Sequence, residues 1–231
     1  GVGKELYPRA VHQLGKKGGK FIAVNCAGLN DGVVESELFG HEKGAFTDAR
    51  VEREGAFASV GENGVIFLDE VGDMPINQQA KLLRALENRT YSRVGSNDER
   101  KIPEGCKIVA ATNRNLEQLV REGKFRSDLY DRLRGCQIFV PPLRERTPEH
   151  RQALIRHFLE KYGRTDCSFA LEPEAMQYLL SLDFPGNVRE LRDHIERACL
   201  LASEGADLDA RSISISASHV KDAEDVSVQA L

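Results

Sequence analysis

The sequence predicts an α/β protein, in which a parallel sheet with helices is followed by a small all-helical subdomain. Two observations lead to this prediction: apolar runs alternate with helical patterns as far as Pro142, and only helical patterns follow it. Alternating strands and helices are typical of parallel sheets. The expected divisions are residues 1–143 for the α/β subdomain, 144–204 for the helical subdomain and 205–231 for a loosely packed tail.

The predicted strands are continuous apolar runs. There are four of them: Phe21–Asn25, Val65–Asp69, Lys107–Thr112 and Gln137–Val140. Three end in polar residues, and the fourth leads into two prolines. Because apolar residues do not alternate with polar ones, we expect strands that are buried on both faces. In such sheets, functional residues collect where the carboxyl ends of the strands meet.

The predicted helices have apolar residues at helical spacing. Leucines mark one helix over Asn77–Asn88 and another that ends before Gly123, and a third pattern covers Glu149–Tyr162. Pro173 suits the first turn of a further helix, where its missing amide hydrogen costs nothing. The last helix follows the turn Phe184–Asn187.

The composition argues against several classes of function. The chain has 231 residues, of which 41% are hydrophobic and 29% are charged, as is usual for a soluble protein. Its net charge of −4 gives no field that would attract nucleic acid or a membrane, and no apolar stretch could span a bilayer. The five cysteines and six histidines lack ligand spacing. We therefore expect reduced thiols, no structural metal and a cytoplasmic location.

The first five residues have the pattern of the second half of a phosphate-binding loop. They are Gly1, Val2, Gly3, Lys4 and Glu5. Loop amides of this kind cradle phosphates while the lysine ammonium reaches them. The full motif has Ser or Thr where Glu5 stands, and a glycine-rich turn before a helix is the alternative. Since a phosphate-binding loop follows a strand, we expect a strand to precede Gly1.

Polar residues at the strand ends are the candidate catalytic groups. Asp69 and Glu70 end the most apolar run, an arrangement that delivers carboxylates to a nucleotide's metal and water. Acids that simply meet water at a strand end are the alternative. Asn25 ends another run, where a capping or turn role is also open, and Thr112 and Asn113 end the third.

Two longer strings make the pattern specific. Residues 33–49 read VVESELFGHEKGAFTDA, and residues 64–70 read GVIFLDE. They resemble the AAA+ ATPase domain of bacterial enhancer-binding proteins, which are sigma-54-dependent transcriptional activators. Further motifs in the expected order support the resemblance: the phosphate loop, Thr112–Asn113, Phe125–Leu133 (FRSDLYDRL), Pro141–Arg146 (PPLRER) and Phe184–Leu191 (FPGNVREL). The resemblance covers residues 1 to about 204. That family often has Lys-Glu at the positions of Lys4 and Glu5, which favours the phosphate-loop interpretation.

The resemblance implies a role for each candidate residue. Asp69 would hold Mg²⁺ through water, Glu70 would polarise the attacking water, and Asn25 would restrain Glu70. Arg126 and Arg132 would be arginine fingers that enter the next subunit's site, with a solvated, salt-bridged helix as the alternative. The residues implied in ATP binding are Gly1, Val2, Gly3, Lys4, Glu5, Asp69, Thr112, Asn113 and Arg189.

The resemblance also implies an ATP- and Mg²⁺-dependent homo-oligomer, expected to be a hexamer, that remodels the closed complex of sigma-54 RNA polymerase holoenzyme. The contact loop, Glu42–Ala49, would press on sigma-54. Its contact residues are Gly44, Ala45, Phe46, Thr47, Asp48 and Ala49. The family loop reads GAFTGA, so Asp48 departs from it. DNA binding would need a domain outside this sequence, and no membrane partner is expected. An AAA+ ATPase with another client and a nucleotide-binding module with little turnover remain as alternatives.

Overall fold

The structure, a computed structural model, describes residues 1–15, 18–27, 31–46, 49–163, 168–204 and 212–228. The chain divides into two compact units. The first is Lys4–Ile138, and the second combines Gly1–Gly3 with Phe139–Leu231. Each unit has its own hydrophobic core.

The first unit is an α/β subdomain in which strands and helices alternate. Its strands are β1 (Phe21–Asn25), β2 (Gly40–His41), β3 (Arg53–Glu54), β4 (Val65–Asp69), β5 (Thr90–Ser92), β6 (Glu99–Lys101) and β7 (Lys107–Ala110). Its helices are α1 (Leu6–Leu14), α2 (Asp31–Phe39), α3 (Ala56–Ser59), α4 (Ile76–Asn88), α5 (Leu116–Arg121) and α6 (Ser127–Leu133), with a 3₁₀ turn at Val71–Asp73.

The central sheet is parallel and has the strand order β1-β4-β7. The middle strand, β4, is buried on both faces as its sequence predicts, and only its last residue, Asp69, is partly exposed. Asn25 of β1 pairs in register with Asp69, and Ala110 of β7 pairs with Leu68. The carboxyl ends of the three strands therefore lie at one edge of the sheet, which brings the predicted polar residues together.

The core of this unit holds the sheet against its helices. Leu38 of α2, Phe57 of α3 and Leu82 of α4 are fully buried in the same cluster as Leu68. Each such side chain contributes about 1.5–3 kcal/mol by leaving water. The residues at the sheet edge therefore project from a well-packed base.

Two strand predictions differ from the structure. Residues Gln137–Val140 form no β-ladder, so the fourth predicted strand is wrong. A strand exists only where a neighbouring strand completes its hydrogen bonds, and Ile138 and Phe139 are 61% and 79% exposed here. Strand β7 also ends at Ala110 rather than Thr112, because the Thr112 hydroxyl accepts a hydrogen bond in the turn that follows.

The second unit is a helical lid, which confirms the predicted fold class, and it adds a two-stranded parallel ladder. Its helices are α7 (Pro148–Tyr162), α8 (Pro173–Ser181), α9 (Asn187–Glu204) and α10 (Ala217–Val228); its strands are β8 (Ser168–Leu171) and β9 (Ser212–Ile215), and Leu143–Glu145 is a 3₁₀ turn. Among the described residues, the helices of both units are too short or too polar to cross a membrane.

The loosely packed tail predicted for residues 205–231 is not what the described part of that segment shows. Ile215, Val220 and Ala223 are fully buried in the lid core. The His194 ring of α9 donates a hydrogen bond from Nε2 to the Val220 carbonyl at 2.8 Å. The expectation is therefore wrong for β9 and for the first half of α10, which belong to the lid.

Candidate nucleotide site

At the sheet edge, one carboxylate lies between a lysine and a backbone amide. Lys4 Nζ is 2.9 Å from Glu70 Oε1, and the Asn113 amide donates to Glu70 Oε2 at 2.9 Å. The side chains of Lys4 and Glu70 are only 19% and 21% exposed. Because both oxygens have a partner, the carboxylate is fixed in one orientation.

The backbone at Glu70 turns sharply out of β4. Its φ of 52° and ψ of 46° lie in the left-handed region, which is uncommon for a residue other than glycine. The Glu70 amide donates to Asp69 Oδ1 at 3.1 Å, and the Val71 amide donates to the Ala111 carbonyl at 2.9 Å. These bonds hold the turn and so direct the Glu70 side chain toward Lys4.

Asn25 lies at the same edge, but its side chain is used locally. Its Oδ1 accepts a hydrogen bond from the Ala27 amide at 2.9 Å. In this structure Asn25 therefore has the turn role left open above, and Lys4 and Asn113 restrain Glu70.

The neighbouring Cys26 is a buried thiol. Burial raises its pKa to about 12, and the nearby charge of Asp69 adds to the increase. A thiol with a raised pKa stays protonated at neutral pH and is therefore a poor nucleophile. Cys26 thus contributes to the core and not to the chemistry of the edge.

The turn after β7 packs on the turn after β4. The Thr112 hydroxyl accepts from the Arg114 amide at 3.0 Å, and Arg114 forms an ion pair with Asp73. A Cβ atom on Gly72 would lie 2.7 Å from Thr112 Oγ1, so only glycine permits this approach. A movement of the Thr112–Asn113 segment would therefore also displace Glu70, which accepts a hydrogen bond from the Asn113 amide.

The two candidate arginine fingers are exposed, with Arg126 directly before α6 and Arg132 within it. Arg126 donates from Nε and Nη2 to the Asp128 carboxylate at 3.0 and 2.7 Å, and Arg132 Nη2 donates to the Leu86 carbonyl at 3.3 Å. In the described part of the chain, neither guanidinium contacts Glu70. Their exposure leaves them accessible to a second copy of the chain.

In the second unit, Arg189 lies in the first turn of α9. It lines an open cavity of about 440 Å³ together with Gly1 and the turn before the helix. A Cβ atom on Gly1 would collide with the Gly186 carbonyl and lie 3.0 Å from the Arg189 Cβ. Arg146 Nη2 donates to the Val2 carbonyl at 2.7 Å. Two segments that the sequence assigns to ATP binding therefore meet here.

The Asn113 backbone amide is a contact that sequence reasoning did not identify. The sequence named Asn113 as a candidate residue, and in the structure its backbone N–H contacts Glu70. Every residue except proline carries this donor, so no residue type could have indicated it.

Metal-ligating side chains do not cluster in the part of the chain that the structure describes. No group there of three or more His, Cys, Asp or Glu could hold an ion. A magnesium ion on a nucleotide needs only one or two carboxylates, because phosphates and water supply its other ligands. Asp69, at the end of β4, can supply such a carboxylate.

The contact loop follows β2, and backbone hydrogen bonds join its described residues. The Gly44 amide donates to the Ala49 carbonyl at 2.8 Å, and the Ala49 amide donates to the Phe46 carbonyl at 2.9 Å. The Phe46 side chain is 40% exposed, whereas Ala49 is buried. Thr47 and Asp48, both predicted to contact sigma-54, lie outside the described residues. An aromatic ring is thus presented near the protein surface.

A second turn supports the contact loop from below. The Glu42 amide donates to the Val94 carbonyl at 3.0 Å, and the Val94 amide donates to the Gly40 carbonyl at 2.9 Å. Gly95 has a φ of 83°, and a Cβ atom there would lie 2.8 Å from the Ala45 Cβ. The base of the loop is therefore attached to the turn between β5 and β6.

A parallel sheet with acids at the end of its central strand, a lysine beside them and a helical lid define an AAA+ domain. The chain belongs to the sigma-54 interaction domain family, which matches residues 1–139. The AAA+ ATPase lid domain matches residues 144–228. The family resemblance seen in the sequence is confirmed, and the lid match includes the described part of the former tail.

Similar proteins include two that are named regulatory proteins. The Nif-specific regulatory protein of Herbaspirillum seropedicae is 48% identical over 87% of this chain and 37% of that protein. The regulatory protein AtoC of Escherichia coli is 46% identical over 88% of this chain and 44% of that protein. The structure of NtrX from Brucella abortus with ATP has a TM-score of 0.78 at 33% identity, over 95% of this chain and 46% of that chain. The chain thus spans less than half the length of these relatives.

Proposed function

We propose that this chain is the ATP-hydrolysing domain of a sigma-54-dependent activator. The observation that carries the proposal is the Glu70 carboxylate, held by Lys4 and the Asn113 amide at the carboxyl edge of a parallel sheet. The similar protein NtrX has been solved with ATP and with ADP, which supports ATP as the nucleotide.

The residues at the edge would divide the chemistry among them. Lys4 would neutralise phosphate charge, and Glu70 would take up a proton from the attacking water. Asp69 would hold Mg²⁺ through water, which its carboxylate can do while one oxygen accepts the Glu70 amide. The bound ion would supply charge neutralisation on the phosphates.

The proposed phosphate-binding residues are those that the family resemblance implies. In the proposal, the amides of Gly1, Val2, Gly3 and Glu5 surround the phosphates, and Arg189 adds a positive charge. Thr112 and Asn113 would respond to the terminal phosphate, and the Asn113 amide would pass that response to Glu70. The support is the Asn113 hydrogen bond and the cavity that Gly1 and Arg189 line.

A complete site would need a neighbouring subunit. Arg126 and Arg132 are exposed directly before and within α6, where they could enter the site of the next copy in a ring, for which a hexamer is proposed. Arginine fingers can raise the rate by roughly 10³–10⁵-fold. Assembly would therefore be part of the mechanism.

The contact loop would transmit the nucleotide state to sigma-54 and so remodel the closed polymerase complex in the cytoplasm. Phe46 supports this proposal, because a ring that is 40% exposed gains stability by packing on a partner. The test is capture of sigma-54 by the protein with an ATP transition-state analogue. Phe46→Ala should abolish capture, whereas Leu200→Ala, an equally apolar exposed site in the lid, should not. Equal capture by both variants would contradict the role of the loop.

Asp48 favours a second candidate function, action on a client other than sigma-54. A carboxylate in a contact surface is costly unless a cation meets it. We expect Asp48→Gly, which restores the family loop, to strengthen sigma-54 capture and to leave ATP hydrolysis near normal. Glycine and aspartate both tolerate left-handed backbone, so the exchange mainly removes charge. A large change in hydrolysis without better capture would place Asp48 in the hydrolysis machinery instead. Near-zero turnover of the unmodified protein would favour the nucleotide-binding module.

A further inference from the structure

His41 is a buried histidine, and both nitrogens of its ring are hydrogen-bonded. Its Nε2 lies 2.9 Å from the Val51 carbonyl, and its Nδ1 lies 2.7 Å from the Ser36 hydroxyl. Because a carbonyl can only accept, Nε2 donates to Val51, and Nδ1 shares a hydrogen bond with the Ser36 hydroxyl. With 8% of the residue exposed, the ring is held in one position.

These two hydrogen bonds join segments on opposite sides of the contact loop. Ser36 belongs to α2, which precedes the loop, and Val51 follows it. The antiparallel ladder at the base of the loop has only two residue pairs, Gly40 with Glu54 and His41 with Arg53. A ladder of two residue pairs holds the chain only weakly. The two hydrogen bonds of the His41 ring therefore help to keep the segments before and after the loop together.

The same ring contacts the aromatic residue of the loop. The centroids of His41 and Phe46 are 4.8 Å apart, and the ring planes meet at 64° in an edge arrangement. The two rings are five positions apart along the chain. Phe46 is therefore partly covered by the same side chain that closes the base of the loop.

We propose that His41 is a positioning residue for the contact loop: its ring closes the base of the loop and holds Phe46 stowed against the domain. Presenting Phe46 fully to a partner then requires the loss of the ring contact, while the two hydrogen bonds keep the base closed. The inference rests on the proposed function of the contact loop and assigns the loop its resting position.

A single tryptophan at position 46 can report whether the side chain there is covered by the His41 ring. The chain has no tryptophan, so Phe46→Trp places the only indole of the protein in the loop. Acrylamide quenching of the whole chain then measures how well that indole is covered. We expect the added change His41→Gln to raise the quenching constant severalfold, because the covering ring is gone. His12→Gln, at a half-buried histidine of the same unit, is the matched control and should change nothing.

A second measurement distinguishes the two roles of His41, which are closing the base of the loop and covering Phe46. His41→Phe keeps an aromatic ring but loses both hydrogen bonds, and Ser36→Ala loses one of them. Trypsin cleavage after the exposed residues Lys43 and Arg50 should accelerate in His41→Phe and to a smaller extent in Ser36→Ala. The indole should stay largely covered in His41→Phe.

Both measurements can overturn the proposal. Unchanged quenching in a folded His41→Gln variant would exclude the covering role, and unchanged cleavage in His41→Phe and Ser36→Ala would exclude closure. If His41→Gln does not fold, the other two variants decide through the cleavage rates. Neither measurement uses sigma-54 or ATP, so their failure leaves the proposed function standing. Loss of the proposed function would appear instead in the sigma-54 capture with Phe46→Ala.

Discussion

The backbone and side chain of Glu70 are more constrained than those of its neighbours at the sheet edge. Its left-handed backbone costs about 1–3 kcal/mol, which the surrounding hydrogen bonds must offset. Its carboxylate also occupies Lys4, the residue proposed to bind phosphate. Under the proposed function, a nucleotide phosphate would therefore compete with Glu70 for the lysine ammonium.

Glu70→Gln tests both roles of this residue. We expect ATP hydrolysis to fall by orders of magnitude, because the amide cannot take up a proton from water. The affinity for ADP should rise, because the neutral amide competes less strongly for Lys4. Turnover and calorimetric ADP titration measure the two effects separately. Glu62→Gln, an exposed carboxylate of the same unit, is the control for loss of one negative charge. Normal turnover would remove Glu70 from catalysis, and weaker ADP binding would contradict the competition.

At the scale of elements, the sequence predicted most accurately the strands and helices that are buried because of their own apolar residues. Strands β1 and β4 have the predicted bounds, because each apolar run ends at a polar residue. Helix α4 begins one residue before the prediction, at Ile76. Asp69 and Glu70 were located for the same reason, because they mark the end of the buried apolar run.

The errors fall where a distant segment decides the outcome. Residues Gln137–Val140 are apolar enough for a strand but have no ladder partner in the described chain. Helix α10 was missed because Val220 and Ala223, its buried residues, stand among serines and charged residues. The apolar positions of α8 and α9, far away in sequence, are what make those two residues core residues. In the site, the Asn113 amide was missed because a backbone donor has no sequence signal.

The lid helices α9 and α10 should lose stability in mild acid. Burial lowers the pKa of His194, whose Nε2–H donates to the Val220 carbonyl. The unfolded chain therefore binds a proton more readily than the folded one. The contribution is complete above the ordinary value of 6.5 and is lost as pH falls through that value toward the lower folded pKa. Urea unfolding midpoints between about pH 7.5 and about pH 5 measure the loss.

His194→Gln should make the unfolding midpoint less sensitive to pH over this range. Glutamine can still donate to the Val220 carbonyl, but it does not titrate. The loss of stability in acid that His194 causes should therefore disappear. His157→Gln, at an exposed histidine of the same unit, is the control and should keep the full pH dependence. If both variants lose stability in acid as the unmodified protein does, His194 is not the group responsible.

At the scale of the whole molecule, the proposed function implies a site that is incomplete within one copy. The groups around Glu70 lie at the sheet edge, whereas Arg126 and Arg132 lie exposed directly before and within α6 with local partners. A guanidinium that faces solvent and pairs with an exposed carboxylate gains little stability from that pair. The ion pair of Arg126 therefore adds little stability, and the proposed function assigns both arginines to a neighbouring subunit instead.

Mixing two inactive variants tests whether sites are shared between copies. Arg132→Ala subunits keep Glu70 and Lys4, and Glu70→Gln subunits keep both arginines. Where a subunit of the first kind receives the arginines of the second, one complete site forms, so the mixture should hydrolyse ATP faster than either variant alone. Arg121→Ala, at another exposed arginine of the first unit, should remain active without mixing. If the two inactive variants assemble together, as shown by sedimentation, yet restore no hydrolysis, each copy must complete its own site and the ring mechanism is wrong.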